Sequence, residues 1–168
     1  MICGATTNFL QDNSYQLILP RFPNVQYYST DFVVPEISLG IATAPTPYVD
    51  LRFAGDKPAF APMTFNFLVD ENMHNYQEVL DWINGIGFSS DYKDFSSFKN
   101  KSSVQPLGEQ DAKVVIMSSK SNPLRSITFF DAIPIALSGF SMTSQNSQTT
   151  YVKASLTMIY TRFEFDKN

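Results

Sequence analysis

The sequence predicts a mainly β fold, an antiparallel β-sandwich or barrel with one flanking α-helix. Most segments alternate apolar and polar residues with a period of two, as half-buried strands do. A single segment has helical spacing. The 168 residues show no internal repeat and no shift of composition, which fits one domain spanning 1–168.

Tyr15, Leu17 and Leu19 fall on one side of a first strand, which Pro20 and Pro23 end. Val25, Tyr27 and Ser29 read as a short second strand. Asp31 to Ile41 is extended, with Pro35 at an edge or a bulge. A long excursion follows, 39–58, rich in proline, with a strand expected in its return limb from Val49 to Phe53. Ala54-Gly55-Asp56 reads as a turn. Phe65, Phe67 and Val69 alternate with polar neighbours.

The helix is marked by Tyr76, Val79, Leu80 and Ile83, spaced i, i+3, i+4, i+7. That stripe predicts Val79, Leu80 and Ile83 facing the sheet and Glu78 and Asp81 facing outward. Asp70 or Asn72 is the expected N-cap, and Gly85 and Gly87 the stop. Ser89 to Ser103 reads as a polar loop with aromatics at Tyr92, Phe95 and Phe98. Val114 to Met117 and Leu124 to Phe130 are further strands, the second ending near Pro134. From Val152 the even positions Ala154, Leu156, Met158 and Tyr160 are apolar, and Phe163 and Phe165 reverse the phase. This is expected to be the longest strand, with a bulge near Thr161. A polar hairpin, Ser141 to Thr150, joins it to the strand before.

Composition narrows the function. Charged residues make up 17% and aromatics 14%, so much surface is expected to be covered, most simply by copies of the chain. A net charge of −4 without a basic run argues against gripping nucleic acid. One cysteine, Cys3, and one histidine, His74, leave no disulfide and no multi-histidine site. Met1 to Leu10 lacks a basic start and an apolar signal core, and no run is long enough to span a membrane, so assembly in a cytoplasm is expected. Six acids and one base lie between Asp70 and Asp94, against five bases and two acids between Lys99 and Arg125. Such patches can orient identical subunits.

Catalytic chemistry finds no constellation. His74 reads as an exposed polar residue at the helix start, without a nucleophile motif around it. Asp70 and Glu71 suit the positive end of the helix dipole better than a metal. Gly85-Ile-Gly87 follows the helix rather than opening one, so it is no phosphate loop. No catalytic residue, cofactor or metal is expected.

The ordered set of features resembles the tail-tube proteins of contractile-tailed, myovirus-type bacteriophages. The features are the strand Tyr15 to Leu19, the extended Asp31-Phe-Val-Val-Pro35, and the hairpin returning through Ala54-Gly55-Asp56 to Phe60. They continue through Phe65-Asn-Phe-Leu-Val-Asp70-Glu71-Asn72, the helix Tyr76 to Trp82, Ile127 to Phe140, and the strand ending Ile159-Tyr160-Thr-Arg-Phe163. The likeness covers roughly residues 14 to 165; the 1–13 arm and the 89–108 loop have no counterpart. It implies a structural subunit of stacked hexameric rings, with a lumen that passes tape-measure protein and DNA without sequence-specific binding. Sheath, baseplate and tail terminator proteins are the implied partners, and the virion tail the implied location. The 39–58 hairpin would carry inter-ring contacts through Ile41, Pro45, Pro47, Tyr48 and Val49, and Glu78 and Asp81 would face the sheath. Rival readings are a baseplate-side initiator or completion ring, the tube of a related injection system, and a ligand-binding β-sandwich using the Tyr92 to Phe98 aromatics.

Overall fold

A computed structural model describes residues 9–20, 22–87, 110–144 and 149–167. The fold class is the predicted one: antiparallel β with a flanking helix. The elements are β1 (Tyr15–Ile18), α1 (Pro23–Tyr27), β2 (Ser29–Val33), β3 (Ile37–Ala44), β4 (Leu51–Phe60), β5 (Met63–Leu68), α2 (His74–Gly87), β6 (Gln110–Met117), β7 (Pro123–Leu137), β8 (Lys153–Ile159) and β9 (Arg162–Lys167). The main sheet runs β1-β6-β7-β8-β5-β2, with β9 also paired to β7. β3 and β4 form a separate two-stranded sheet.

β7 is the pivot. Its first half pairs with β6 and β9, and its second half pairs with β8. The change of partner falls at Asp131, a non-glycine residue with φ of 57°. The sheet therefore folds over on itself, and the inward faces of its two halves form one core. Met63, Phe65 and Phe67 of β5, Ala154, Leu156 and Met158 of β8, and Ile127 and Phe129 of β7 are all buried there. Tyr160 closes one side of it. Its hydroxyl donates to the Ala61 carbonyl at 2.9 Å, and its ring meets Phe129 edge-on at 5.0 Å.

Several expectations need correction. Val25 and Tyr27 lie in a helical turn, not a strand. Residues two apart share a face on a strand but sit about 200° apart on a helix. Val25 is accordingly fully buried, whereas Tyr27 is 81% exposed. Pro23 opens this turn, where its missing N–H costs nothing. β7, with 15 residues, is the longest strand, and it continues through Pro134 instead of ending there. Pro134 is tolerated because the ladder shifts register between it and Ala136. The expected bulge near Thr161 is a break between β8 and β9. The chain crosses there from one half of β7 to the other, which is why the apolar phase reverses.

The helix also turns a different face inward. Asn75, Val79 and Trp82 are buried, with Ile86 half-buried one turn on, while Leu80 is 40% exposed. Tyr76 and Ile83 lie half-buried on the flank. The Trp82 ring packs on Phe22 at 4.8 Å, and this large side chain sets the helix rotation. Gly85 is buried within the helix, which runs on to Gly87. The helix entry is organised by neither Asp70 nor Asn72 but by Asn75. Its Oδ1 accepts from the Asp70 and Tyr76 amides at 3.1 and 2.8 Å, and its Nδ2 donates to the Leu68 carbonyl at 2.8 Å. Asn75→Ala would leave three part-buried backbone groups without this partner. We expect a loss of about 1–3 kcal/mol by denaturant titration, well above the effect at an exposed site such as Gln77→Ala. The 89–108 loop, with Tyr92, Phe95 and Phe98, lies outside the described residues, as do Cys3 and most of the 1–13 arm.

On the outer face of the β6-β7-β9 half, Asp166 accepts a hydrogen bond from the Thr128 hydroxyl at 2.8 Å and pairs with Lys113 at 3.4 Å. The Thr128 hydrogen bond, and after it the Lys113 ammonium, hold the Asp166 carboxyl below the usual carboxylate range. A carboxyl lowered by folding stabilises the fold above its unfolded pKa and loses that effect as pH falls through the folded value. Thr128→Val should therefore raise the Asp166 pKa toward the ordinary carboxylate value, read by NMR titration of the side-chain carboxyl.

Candidate functional site

The two ends of the chain's main sheet are unlike. β2 and β5 run antiparallel, with Ser29 opposite Phe67 and Val33 opposite Thr64. α1 leads into β2 at the Ser29 end, and α2 follows β5 from that same end. The β3–β4 hairpin leaves from the other end, between Val33 and Met63. The fold thus carries its helices at one end and the β3–β4 hairpin at the opposite one.

The hairpin is longer and more regular than the sequence suggests. Its return limb runs from Leu51 to Phe60, and Gly55 lies inside that strand rather than in a turn. The register slips between Leu39 and Ile41. At the slip the two backbones approach so closely that a Cβ on Gly55 would lie 2.5 Å from the Gly40 carbonyl oxygen, so only glycine fits. The hairpin's base is tied to the body. The Phe60 ring packs on Tyr160 and Phe163 at 6.0 and 5.8 Å, and the Ala61 amide donates to the Glu36 carbonyl at 3.0 Å.

Beyond its base the hairpin is exposed on both faces. Ile41 pairs with Ala54 on one face, and Ala42 pairs with Phe53 on the other. Ile41 is 67% exposed, and Leu39, Leu51 and Phe53 are each about half exposed. An ordinary surface strand buries one face and solvates the other. Here both faces are bare: Ala42, Phe53, Ala44 and Leu51 make one apolar face, and the other sets Ile41 and Ala54 beside Thr43 and Arg52; both long edges of the ribbon are unpaired among the described residues. At the tip Pro45 and Pro47 flank Thr46, whose hydroxyl donates to the Val49 carbonyl while the Val49 amide donates back to it at 3.2 Å. This turn presents Tyr48, 96% exposed, and Val49. Ile41, Pro45, Pro47, Tyr48 and Val49 are thus gathered in the outer half of one projecting ribbon.

A second feature is an open slot of about 840 Å³ between β1 and β2, the two end strands of the main sheet. Tyr15, Gln16 and Leu17 form one wall and Ser29 to Val33 the other, with Pro23, Gln26 and Tyr27 of α1 at one end. No backbone ladder joins β1 to β2. The Tyr15 hydroxyl and the Ser29 Oγ, 3.4 Å apart, make the one side-chain hydrogen bond between the walls among the described residues.

The third feature is a hollow of about 420 Å³ at the helix end, lined by Asn24, Tyr28, Asp70, His74, Gln77, Glu78 and Asp81. Asp81 is exposed, whereas Glu78 is half-buried and turned toward α1, its Oε1 accepting from Asn24 Nδ2 at 2.9 Å. His74, at the first position of α2, is exposed. The hollow thus brings His74 near carboxylates, yet it supplies neither a nucleophile nor a water-excluding wall. Among the described residues no cluster of His, Cys, Asp or Glu is placed to hold a metal ion, and no helix is long and apolar enough to cross a membrane.

No family model matches the chain, and no curated protein matches it in sequence. Solved structures do. A chain from the anti-feeding prophage cap, described as the tube terminating cap, superposes with a TM-score of 0.63 at 10% identity, covering 98% of this chain and 95% of that one. A chain from the sheath/tube terminator of the extracellular contractile injection system PVC, in its extended state, gives 0.61 at 13%, covering 96% and 99%. One from the PVC sheath-tube complex gives 0.59 at 12%, covering 96% and 94%. The likeness runs the whole length of both partners, and its content at these identities is architecture. The chain has the tail-tube-like fold of contractile injection systems.

Proposed function

We propose that this protein is a structural subunit of a contractile tail: copies close into hexameric rings, and the rings stack into a tube with a central channel. The observation that carries the reading is the β3–β4 hairpin, bare on both faces beyond its base, one of them wholly apolar, and leaving the body at the end opposite the helices. Such a subunit is polar, so its contacts are heterologous. A closing rotation yields rings, and a second contact along the axis yields an open-ended stack. Ile41, Pro45, Pro47, Tyr48 and Val49 are then inter-ring contacts, and Asp81 lies on the helix face toward the sheath, whereas Glu78, expected beside it, turns toward Asn24 of α1.

The sequence resemblance favours a phage virion and delivery of DNA. A net acidic chain does not grip a polyanion, so DNA passes through the lumen without sequence-specific binding, and the resemblance implies the same of tape-measure protein. Sheath, baseplate and terminator proteins are the partners of such a tube, and none of these roles needs catalysis. A second reading is a tube-terminating cap, favoured by the superposition on the anti-feeding prophage cap chain over almost its full length. Negative-stain microscopy of the purified protein across a wide concentration range tests both. Tubes support the repeating subunit, and rings that never stack support the cap. A monomer at every concentration, with or without sheath protein, overturns both.

A further inference from the structure

The slot between β1 and β2 has the outline of a missing strand. β1 gives one edge to β6 and β2 gives one edge to β5, so the edges that face each other across the slot are unpaired among the described residues. Strands that pair directly lie about 4.8 Å apart. Here a tyrosine side chain spans the interval on the core side instead: the Tyr15 ring packs 6.4 Å from Phe32, and its hydroxyl lies 3.4 Å from the Ser29 Oγ. Over it stand about 840 Å³ of open space. We infer that this space is the seat of the chain's own N-terminal segment, residues 1–11, laid in as an added strand with one edge on β1 and the other on β2. Asp12 and Asn13 form a turn directly before β1, and both line the slot. A two-residue turn is the shortest connection that lays a chain antiparallel beside the strand it leads into. With β6 on one side of β1, the edge it reaches is the one on the slot. Every neighbouring pair from β1 through β6, β7, β8 and β5 to β2 is antiparallel, so β1 and β2 run in opposite senses. The added strand is then antiparallel to β1 and parallel to β2, and both arrangements form ladders. Met1 to Gln11 holds no proline and no charged side chain, as a strand paired on both edges requires. Phe9 and Leu10, 94% and 66% exposed, stand immediately before the turn. Neighbours on a strand face opposite sides, so seating the segment turns one of them toward Tyr15 and Phe32 and leaves the other outside beside Gln16 and Val33. The rolled sheet becomes a closed barrel, and two edges that would template pairing with a foreign strand disappear. This closure belongs to the single subunit and holds with or without a tube.

The test is amide hydrogen exchange by NMR on the dilute full chain, set against a variant carrying Phe9→Asp and Leu10→Asp. Both positions are exposed, so the core is untouched. The amides of β1 and β2 that point away from β6 and β5 should exchange about tenfold or more faster in the variant, while those of β5 and β8 keep their protection. Equal exchange in the two proteins overturns the seat. Disulfide trapping gives a second reading. In a Cys3→Ser background, Phe9→Cys with Val33→Cys and Leu10→Cys with Val33→Cys are each oxidised at low concentration. Val33 lies on the β2 edge and is 68% exposed. A seated strand presents only one of the two neighbours to the outer face, so one pair should close within the chain and the other should not. Equal closure of both pairs, or of neither, overturns the added strand. A disulfide that joins two chains overturns the assignment to the chain's own segment and gives the slot to a second copy's.

Discussion

Replacing residues 42–50 with a short Gly-Ser turn should leave the thermal midpoint of the monomer nearly unchanged and abolish tubes. The argument is one of burial. Every residue removed is exposed except Ala44, which is half-buried, and none belongs to the core cluster. Surface changes of this kind shift stability by roughly 0.5 kcal/mol or less. The tie to the body, Phe60 on Tyr160 and Phe163, lies outside the deletion. What is lost is the apolar surface of Tyr48 and Val49 and the turn that presents them. In an assembly, burying two such side chains contributes several kcal/mol per contact, repeated at every subunit of every ring. Differential scanning calorimetry on dilute protein reads the first effect, and sedimentation with microscopy reads the second. A variant that melts far earlier yet still stacks once folded would place the tip in the subunit's own core, and one of unchanged midpoint that still stacks would remove the tip from the stacking contact.

How much of this was legible in the sequence depends on which force sets each feature. Strands with one buried face are legible, because burial imposes the period-two pattern directly: β5 shows it as Met63, Phe65 and Phe67, and β8 as Ala154, Leu156 and Met158. The reversal of phase after Tyr160 was visible too. Its cause was not, because a strand changing partners and a bulge leave the same mark. α1 looks like a strand in the sequence because five residues are too few to distinguish a helical turn from a strand when the only apolar signals are two apart. The hairpin's length was hidden because β4 has no buried face and carries a proline and a glycine, both of which read as breakers. The slot had no sequence signal at all. It exists because β1 and β2, distant in the ladder, end up facing each other, and no local pattern records that. The cluster at His74 likewise arises from α1 meeting α2, through Asn24 and Glu78.

The helix face is where the sequence pattern and the packing part most clearly, and Trp82→Ala and Leu80→Ala turn the difference into a measurement. Read as a period, Tyr76, Val79, Leu80 and Ile83 form a stripe centred near Val79 and Leu80. The structure centres it on Val79 and Trp82, one step around the helix. A tryptophan removes more apolar area from water than a leucine, and a close-packed interior rewards the rotation that buries it. Leu80 then falls on the border. Truncating a fully buried aromatic typically costs about 3–5 kcal/mol, and Trp82 is 2% exposed with its ring on Phe22. Trp82→Ala should therefore lose a large share of the stability of a domain this size and lower the midpoint of chemical denaturation steeply. Leu80, 40% exposed, should lose about 1 kcal/mol or less when truncated. Should Trp82→Ala unfold outright, Trp82→Phe keeps the comparison readable, since it retains much of the buried area. Equal losses at the two positions would mean that α2 sits rotated back toward Leu80, with Asp81 no longer on the outward face proposed for the sheath.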